Sequence, residues 1–528
     1  MYDLLIKSGM IVDGSGDVPY LGDVAVNGDT IVRIARSIDE PAQRVIDAKG
    51  KLVTPGFIDI HCHSDAIVFQ PGKNPKRLQQ GFTTEVVGNC GISCAPVTPE
   101  FKDSWADYCA PFYSHMPVPF NWNSYDEYLK EVETNHLCLN MAGLVGHGTI
   151  RACVAGFENR PFTEEEMRRA EQLLAESMEA GAFGISSGLI YPPGVYSTKE
   201  EMINLARVVK KYNGIYTSHV RSESYGLIDA VTEAIHVAEE TQVSVELSHH
   251  KAAGKPNHGK IRTTLKMIED ARAKGLDINC DVYPYDAAST NFNSILPPWA
   301  LEGGIEKMLE RLAEPAARTK MIEAMKDEHP DWESFYQLTG WEGMYITECS
   351  VAKYADRTVA DIARSENADP FEKALDILLE SRNNAMMIVF FMDPEDVSRA
   401  IANPNSMVCT DGFPSVKKSH PRYYGSCVRV LEKYVKQDHL LSIQQAIYKM
   451  CGMPASKLGL KDRGIAAEGM KADLLVIDLE RLHDNATYKD DKAVCDGIDY
   501  VAVNGQIVVD DGEIVPDVYV GRVLRRDH

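Results

Sequence analysis

The 528-residue chain reads as an α/β protein: a (β/α)8 TIM-like barrel, a small β-sandwich domain built from both chain ends, and a helical lid insertion. Three observations predict this. The length exceeds what one compact core usually carries. The middle of the chain alternates β-rich runs with amphipathic helical patterns, as parallel βα units do. Both ends read as short strands broken by tight turns, and neither end has enough strands to fold by itself.

At the N-terminus, "DLLIKSGMIVDG", "GDVAVNGDTIVRIA" and "RVIDAKGKLVTPG" are β-rich runs separated by turn signals. Near the C-terminus, "KADLLVIDLE" and "YVAVNGQIVVDDGEIV" read alike, and Asn27-Gly28 and Asn504-Gly505 are hairpin turn candidates. Residues 1–56 and 462–528 are therefore expected to join into one small domain beside a barrel over 57–461. Eight runs supply the barrel strands: "GFIDI", "TTEVVGN", "LNMAGLVG", "AFGISSG", "IYTSH", "VSVELSH", "LDINCDVYPY" and "SMVCTDG". "MYITEC" and "AMMIVFFM" compete for the count. One helix is well marked, "TEEEMRRAEQLLAESMEAG": Thr163 and Glu166 form a capping box, Met167, Ala170, Leu173 and Leu174 share a face, and Gly181 ends it. The spacing breaks after "DVYPYDAAST", where a largely helical stretch delays the eighth strand. That stretch predicts a lid insertion at about 288–345.

Composition narrows the class. The net charge of −22 repels nucleic acid and anionic membranes. No apolar stretch reaches bilayer length, and the N-terminal residues lack the pattern of an export signal. The twelve cysteines are scattered without a CxxC pair, as reduced thiols are. A cytoplasmic protein acting on a small molecule is expected, with no nucleic-acid or membrane partner.

In a barrel of this type the C-terminal strand ends carry the chemistry. Read in order, the ends give His61 and His63, then Cys90, then His219, then His249 or His250, and finally Asp411. His61 and His63 share a face because strand side chains alternate, and Cys62 points the other way. A thiolate among imidazoles favours zinc over magnesium or calcium, which prefer oxygen.

"GFIDIHCHSD", "GNCGIS", "SHV", "SHHK", "DVYPY" and "TDGFP…HPR" together resemble the amidohydrolase superfamily, and within it the N-acyl-D-amino-acid deacylases (D-aminoacylases). The similarity runs over nearly the whole chain. Many two-metal relatives bridge their metals with a carboxylated lysine on strand four. Here that strand end is "GISSGLIY", with Ser186 and Ser187, and Cys90 is the natural replacement. The resemblance implies a tight zinc site of Cys90, His219 and His249, and a weaker one of His61, His63 and Asp411 that can share Cys90. His250 has the opposite strand parity to His249 and is expected to be structural.

The implied reaction is zinc-dependent hydrolysis of an N-acyl-D-amino acid to a carboxylate and a free D-amino acid, by metal-activated hydroxide, with Asp411 as general base and acid. The substrate α-carboxylate needs cationic or hydrogen-bonding partners. Lys251, Arg422, Tyr283 and Ser289 are the candidates, with Tyr285 as the rival of Tyr283 and His420 as a structural neighbour of Arg422. Tyr191 is expected to wall the pocket, with Leu296 and Trp299 of the lid. Arg221 is the cation available to an acidic substrate side chain, unless it pairs with Glu223. The alternatives are a dipeptidase acting on a C-terminal D-residue, a cyclic-amide hydrolase, which the missing strand-four lysine disfavours, and a non-catalytic scaffold.

Overall fold

The computed structural model describes residues 1–70, 76–328, 331–415 and 417–527. Eight parallel strands form the central barrel: Phe57–Asp59, Phe82–Val87, Asn140–Gly143 continuing into Val145–Gly146, Gly184–Gly188, Ile215–His219, Ser244–Leu247, Ile278–Val282 and Ser406–Val408. All eight predicted runs contribute a strand. The two pieces of the third strand pair with different neighbours, so it links strands one and two to the other five. The barrel closes where strand eight meets strand one: Asp411 N–H donates to His61 O at 2.8 Å, and His63 N–H donates to Gly412 O at 3.0 Å. Regular structure in strand one ends at Asp59, so both histidines lie in the extended loop beyond it rather than in the strand.

The helices follow from their apolar stripes. The helix Glu164–Glu179 starts from a capping box of Thr163 and Glu166, and buries Ala170, Leu173, Leu174 and Met178. Lys199–Lys211, Leu227–Thr241, Ile261–Ala273 and Pro394–Ala402 alternate with the later strands around the outside.

The chain ends share one nine-stranded sheet, in which Leu52–Pro55 pairs antiparallel with Leu474–Ile477. Its hydrogen bonding runs through both chain ends, and residues of both ends such as Leu4, Val24, Val53, Leu474 and Ala502 meet in one apolar cluster. The turn at Asn504-Gly505 has both central residues at positive φ (47° and 82°), as a two-residue type I′ hairpin requires.

The segment between strands seven and eight differs most from expectation. It is not simply helical and does not stop at 345. It includes an antiparallel four-stranded sheet of Ala287–Asn291, Met344–Cys349, Arg357–Thr358 and Ala385–Phe390 beside its helices. "MYITEC" and "AMMIVFFM" pair with each other there, which removes them from the barrel count. Residues 329–330 of the expected insertion lie outside the described residues.

Candidate metal centre

The six proposed donors meet at the C-terminal mouth of the barrel, all buried. They form two sets that share one atom: donors of His61, His63, Cys90 and Asp411 lie within 4.8 Å of one another, as do those of Cys90, His219 and His249. Cys90 Sγ is 3.3 Å from both His61 Nε2 and His249 Nε2. Asp411 Oδ1 is 3.2 Å from His63 Nε2 and 3.5 Å from His61 Nε2.

Local backbone geometry aims these groups. Cys90, His249 and Asp411 all take positive φ, at 52°, 35° and 46°. Such conformations are costly for non-glycine residues and persist where surrounding bonds over-determine them. For His249 and Asp411 those bonds are His249 N–H to Asp281 Oδ1 (2.8 Å) and Asp411 N–H to His61 O. Around Cys90 the chain is clipped by strand four. Ser186 Oγ donates to Gly88 O and accepts from Gly91 N–H at 3.0 Å. A side chain at Gly188 would stand 2.1 Å from Cys90 O, so the close approach of these loops needs glycine. The strand-four position that lacks lysine thus holds the loop that carries Cys90.

Carboxylates surround the imidazoles. Glu223 Oε1 accepts from His249 Nδ1 at 2.9 Å and from Lys251 Nζ at 2.6 Å. Asp281 Oδ2 lies 3.5 Å from His61 Nδ1. His63 stacks on Phe413, with ring centroids 4.3 Å apart. The buried guanidinium of Arg422 pairs with Asp411 Oδ2 at 2.8 Å.

The charge pattern fits a cation. Burial pushes the Cys90 thiol up, but His61, His249 and His219 outweigh burial and hold it well below the ordinary thiol range. Burial likewise raises Asp411, and Arg422, His249 and His63 overcome it to keep the carboxyl ionised. Burial lowers His61 and His63, yet Cys90 with Asp281 around the first, and Asp411 with Cys90 around the second, draw protons onto both rings. A divalent ion takes the place of such protons. Among the described residues both ring nitrogens of His219 are buried without a hydrogen-bond partner, and a metal ion would satisfy one of them. A thiolate with imidazoles suits zinc.

The other predicted residues divide. Lys251, Ser289 and Tyr191 line the small cavity at the donors, about 30 Å³, with room for a water or two. Arg422 and Tyr283 stand behind it. The Tyr283 hydroxyl donates to Met392 Sδ, and its ring lies under Arg422 and Lys251. Tyr285 turns to Asp484, and His420 accepts from Arg422 N–H through Nδ1. His250 bonds Thr264, and burial holds its ring down at about 4, in keeping with a structural role. Arg221 does not pair with Glu223. It forms a two-pronged ion pair with Glu233 at 2.9 and 3.0 Å, because Glu233 on the following helix faces the guanidinium while Glu223 is taken by Lys251 and His249. Asp281 and the role of Glu223 escaped sequence reasoning. Asp281 had a signal: it lies two residues before Tyr283 in "DVYPY", on the same strand face. Glu333 was also unforeseen. Burial and neighbouring Glu223 push its carboxyl up to about 8.

A parallel barrel with a thiolate-centred donor set at its C-terminal mouth is the framework of a metal-dependent hydrolase. The chain belongs to the amidohydrolase family, whose model matches residues 44–509. It is 33% identical to a D-aminoacylase of Alcaligenes xylosoxydans xylosoxydans, covering 99% of this chain and 98% of that one. It is 34% identical to an N-acyl-D-glutamate deacylase of the same organism, covering 99% and 97%. Among solved structures it superposes on the N-acyl-D-glutamate deacylase of Bordetella bronchiseptica, complexed with zinc and a phosphonate mimic of the tetrahedral intermediate. That match has 31% identity, a TM-score of 0.84 and 99% of each chain covered.

Proposed function

We propose that this chain is a zinc-dependent amidohydrolase that cleaves the amide bond of N-acyl-D-amino acids, giving a carboxylate and a free D-amino acid. The observation that carries this reading is the Cys90 thiolate shared between two buried donor sets, with Asp411 ionised beside it. Full-length relatives that are named for this reaction support it.

Cys90, His219 and His249 would hold the tight zinc, and His61, His63 and Asp411, with Cys90, a weaker one. Bound zinc supplies polarisation of the substrate carbonyl and acidification of water. The donation of His249 Nδ1–H to Glu223 leaves the Nε2 lone pair free for the metal. Asp411 takes a proton from the attacking water at a carboxylate oxygen and returns it to the departing nitrogen. Arg422 keeps Asp411 charged and fixes its orientation. Lys251, Arg422 and Ser289 receive the substrate α-carboxylate, with Tyr283 and Tyr191 as neighbours. Lys251 spends one donor on Glu223 and has others for the ligand. Cyclic amides are the weaker alternative, since strand four offers Ser186 and Ser187 where a bridging lysine would stand.

The test is a panel of N-acetyl-D- and N-acetyl-L-amino acids and a hydantoin, assayed with purified zinc-loaded protein whose metal content is measured. Cleavage of D-derivatives above their L-enantiomers is expected. Hydantoin cleavage without deacylation would overturn the reading.

A further inference from the structure

A second buried cluster of charge is not used by the reading above. Its centre is Arg77, 1% exposed, on the short helix Lys76–Gln79 before strand two. Asp59 of strand one, Cys62 and Glu85 of strand two bring donor atoms within 4.8 Å of one another, as a metal site would. That set already holds a cation. Arg77 Nη2 donates to Asp59 Oδ2, and Nε donates to Glu85 Oε1. The remaining arm, Nη1, donates to Tyr423 O at 2.8 Å. The guanidinium is also held between two rings, 3.9 Å from the centre of Phe82 and 4.5 Å from that of Tyr423.

Two routes lead from this guanidinium to Asp411. The first runs through Asp59, which accepts both donors of Thr410, the backbone N–H at 3.0 Å and the hydroxyl at 2.6 Å. Thr410 Oγ1 in turn accepts the Gly412 N–H at 3.1 Å. The backbone on both sides of Asp411 is thus tied to Asp59, where Asp411 itself holds a costly positive φ of 46°. The second route runs through Tyr423. Gln80 Nε2 joins Arg77 on the Tyr423 carbonyl at 2.9 Å, so two donors fix the first turn of the helix Arg422–Arg429. The Tyr423 ring packs directly on Gly412, where an added Cβ would stand 2.5 Å from its Cδ2. Arg422, the first residue of that helix, is the partner of Asp411 Oδ2. One buried side chain therefore holds both members of the Asp411–Arg422 pair. A guanidinium can do this because its N–H groups form a rigid planar fork, whereas an ammonium is a point charge.

We infer that Arg77 is a positioning residue of the reaction: it fixes the aim of the Asp411 carboxylate by holding Thr410 through Asp59 and Arg422 through Tyr423. The inference rests on the deacylase reading, in which Asp411 carries the proton. It extends that reading to a residue that does not line the cavity at the donors. A misplacement of about 1 Å, caused by a change far from the chemistry, can cost about 10²-fold in rate. Cys90, His219 and His249 lie on neither route, so the tight zinc should survive the loss of the fork.

The experiment uses the zinc-loaded full chain with N-acetyl-D-leucine and its amide, N-acetyl-D-leucinamide. Arg77→Lys keeps the charge that Asp59 and Glu85 need and loses the fork. Its kcat should fall about tenfold or more on both substrates, with the tight zinc still bound. A fall confined to the acid would place the effect in carboxylate recognition, and a fall that only tracks lost zinc would make Arg77 structural; either overturns the inference. The same substitution in Asp411→Asn protein should change kcat by less than about twofold, because the group it positions is already disabled. Equal losses in the two backgrounds are what general loosening of the fold would give, and they would overturn the inference. So would Arg77→Lys with kcat within about twofold of the unaltered protein. If Arg77→Lys does not fold, Thr410→Val carries the test, since it keeps the ion pairs and removes the hydroxyl between Asp59 and Gly412. It should lower kcat about threefold or more, and not in Asp411→Asn protein; no loss, or the same loss in both, would overturn the inference. All of these outcomes leave the deacylase reading intact. An unaltered protein that cleaves neither substrate would overturn that reading and this inference with it.

Discussion

Replacing Glu223 with glutamine tests how the metal centre is built. The substitution preserves shape and removes one charge. Oε1 of Glu223 accepts two charge-assisted hydrogen bonds, from His249 Nδ1 at 2.9 Å and Lys251 Nζ at 2.6 Å, in a site only 5% exposed. A hydrogen bond to a charged group contributes about 1.5–3 kcal/mol and a neutral one about 0.5–1.5. Each bond should therefore weaken by roughly 1 to 1.5 kcal/mol, or about 2–3 for the two. Losing a partner behind a metal-bound histidine costs about 10- to 100-fold in metal affinity, which is about 1.4–2.8 kcal/mol at 1.4 per decade. The two routes agree. Glu223→Gln should thus bind zinc roughly 10- to 100-fold more weakly in a chelator competition. It should also unfold at lower urea, because Lys251 is left buried without its carboxylate. Zinc affinity and kcat/KM both within about threefold of the unaltered protein would refute the idea that Glu223 holds His249 in its ligating orientation.

Two substitutions at the centre should separate structure from chemistry. Cys90→Ala removes the atom common to both donor sets and should lose most bound zinc along with activity, whereas Asp411→Asn should keep the tight zinc and lose roughly 10²-fold or more in kcat. Metal analysis beside steady-state rates checks both, and zinc-replete Cys90→Ala with ordinary turnover contradicts the donor assignment. Away from the site, Asp29 joins the chain ends through Lys471 (2.8 Å) and Arg522 (2.7 Å), and those two cations hold its carboxyl below the usual range. A carboxyl whose pKa is depressed on folding stabilises the fold above its unfolded value of about 3.9, and the gain is lost as pH falls below that. The pairs are partly exposed, so Asp29→Asn should cost only about 1 kcal/mol at pH 7 and should flatten the loss of stability below pH 4. Urea midpoints measured at pH 7 and near pH 3 check this, and identical pH profiles for the two proteins would exclude the pairing as a source of stability.

The local pattern carried the barrel. Eight β-rich runs separated by amphipathic helices can bury their apolar faces only as parallel units, and strand ends such as "GNCG" and "VCTDG" show their reactive residues in the one-dimensional text. Parity says only that His249 and His250 point opposite ways; the resemblance picked His249, which faces Cys90, while His250 turns to Thr264. Pairings between distant residues were decided only in three dimensions. "MYITEC" and "AMMIVFFM" have strand composition, but composition does not name a partner. The insertion pairs them with each other and with Ala287–Asn291, so it reaches well past residue 345. Arg221 has Glu223 two residues away and Glu233 twelve residues away, and the nearer one is not its partner. Residues 221 and 223 sit in an irregular loop, where sequence spacing fixes no direction. The helix Leu227–Thr241 returns Glu233 to the guanidinium, and Glu223 turns inward to Lys251 and His249. Charge cancellation and the orientation of each imidazole both depend on contacts between segments tens to hundreds of residues apart. Sequence spacing therefore named the groups at the mouth, and only packing decided which of their charges remain free to act.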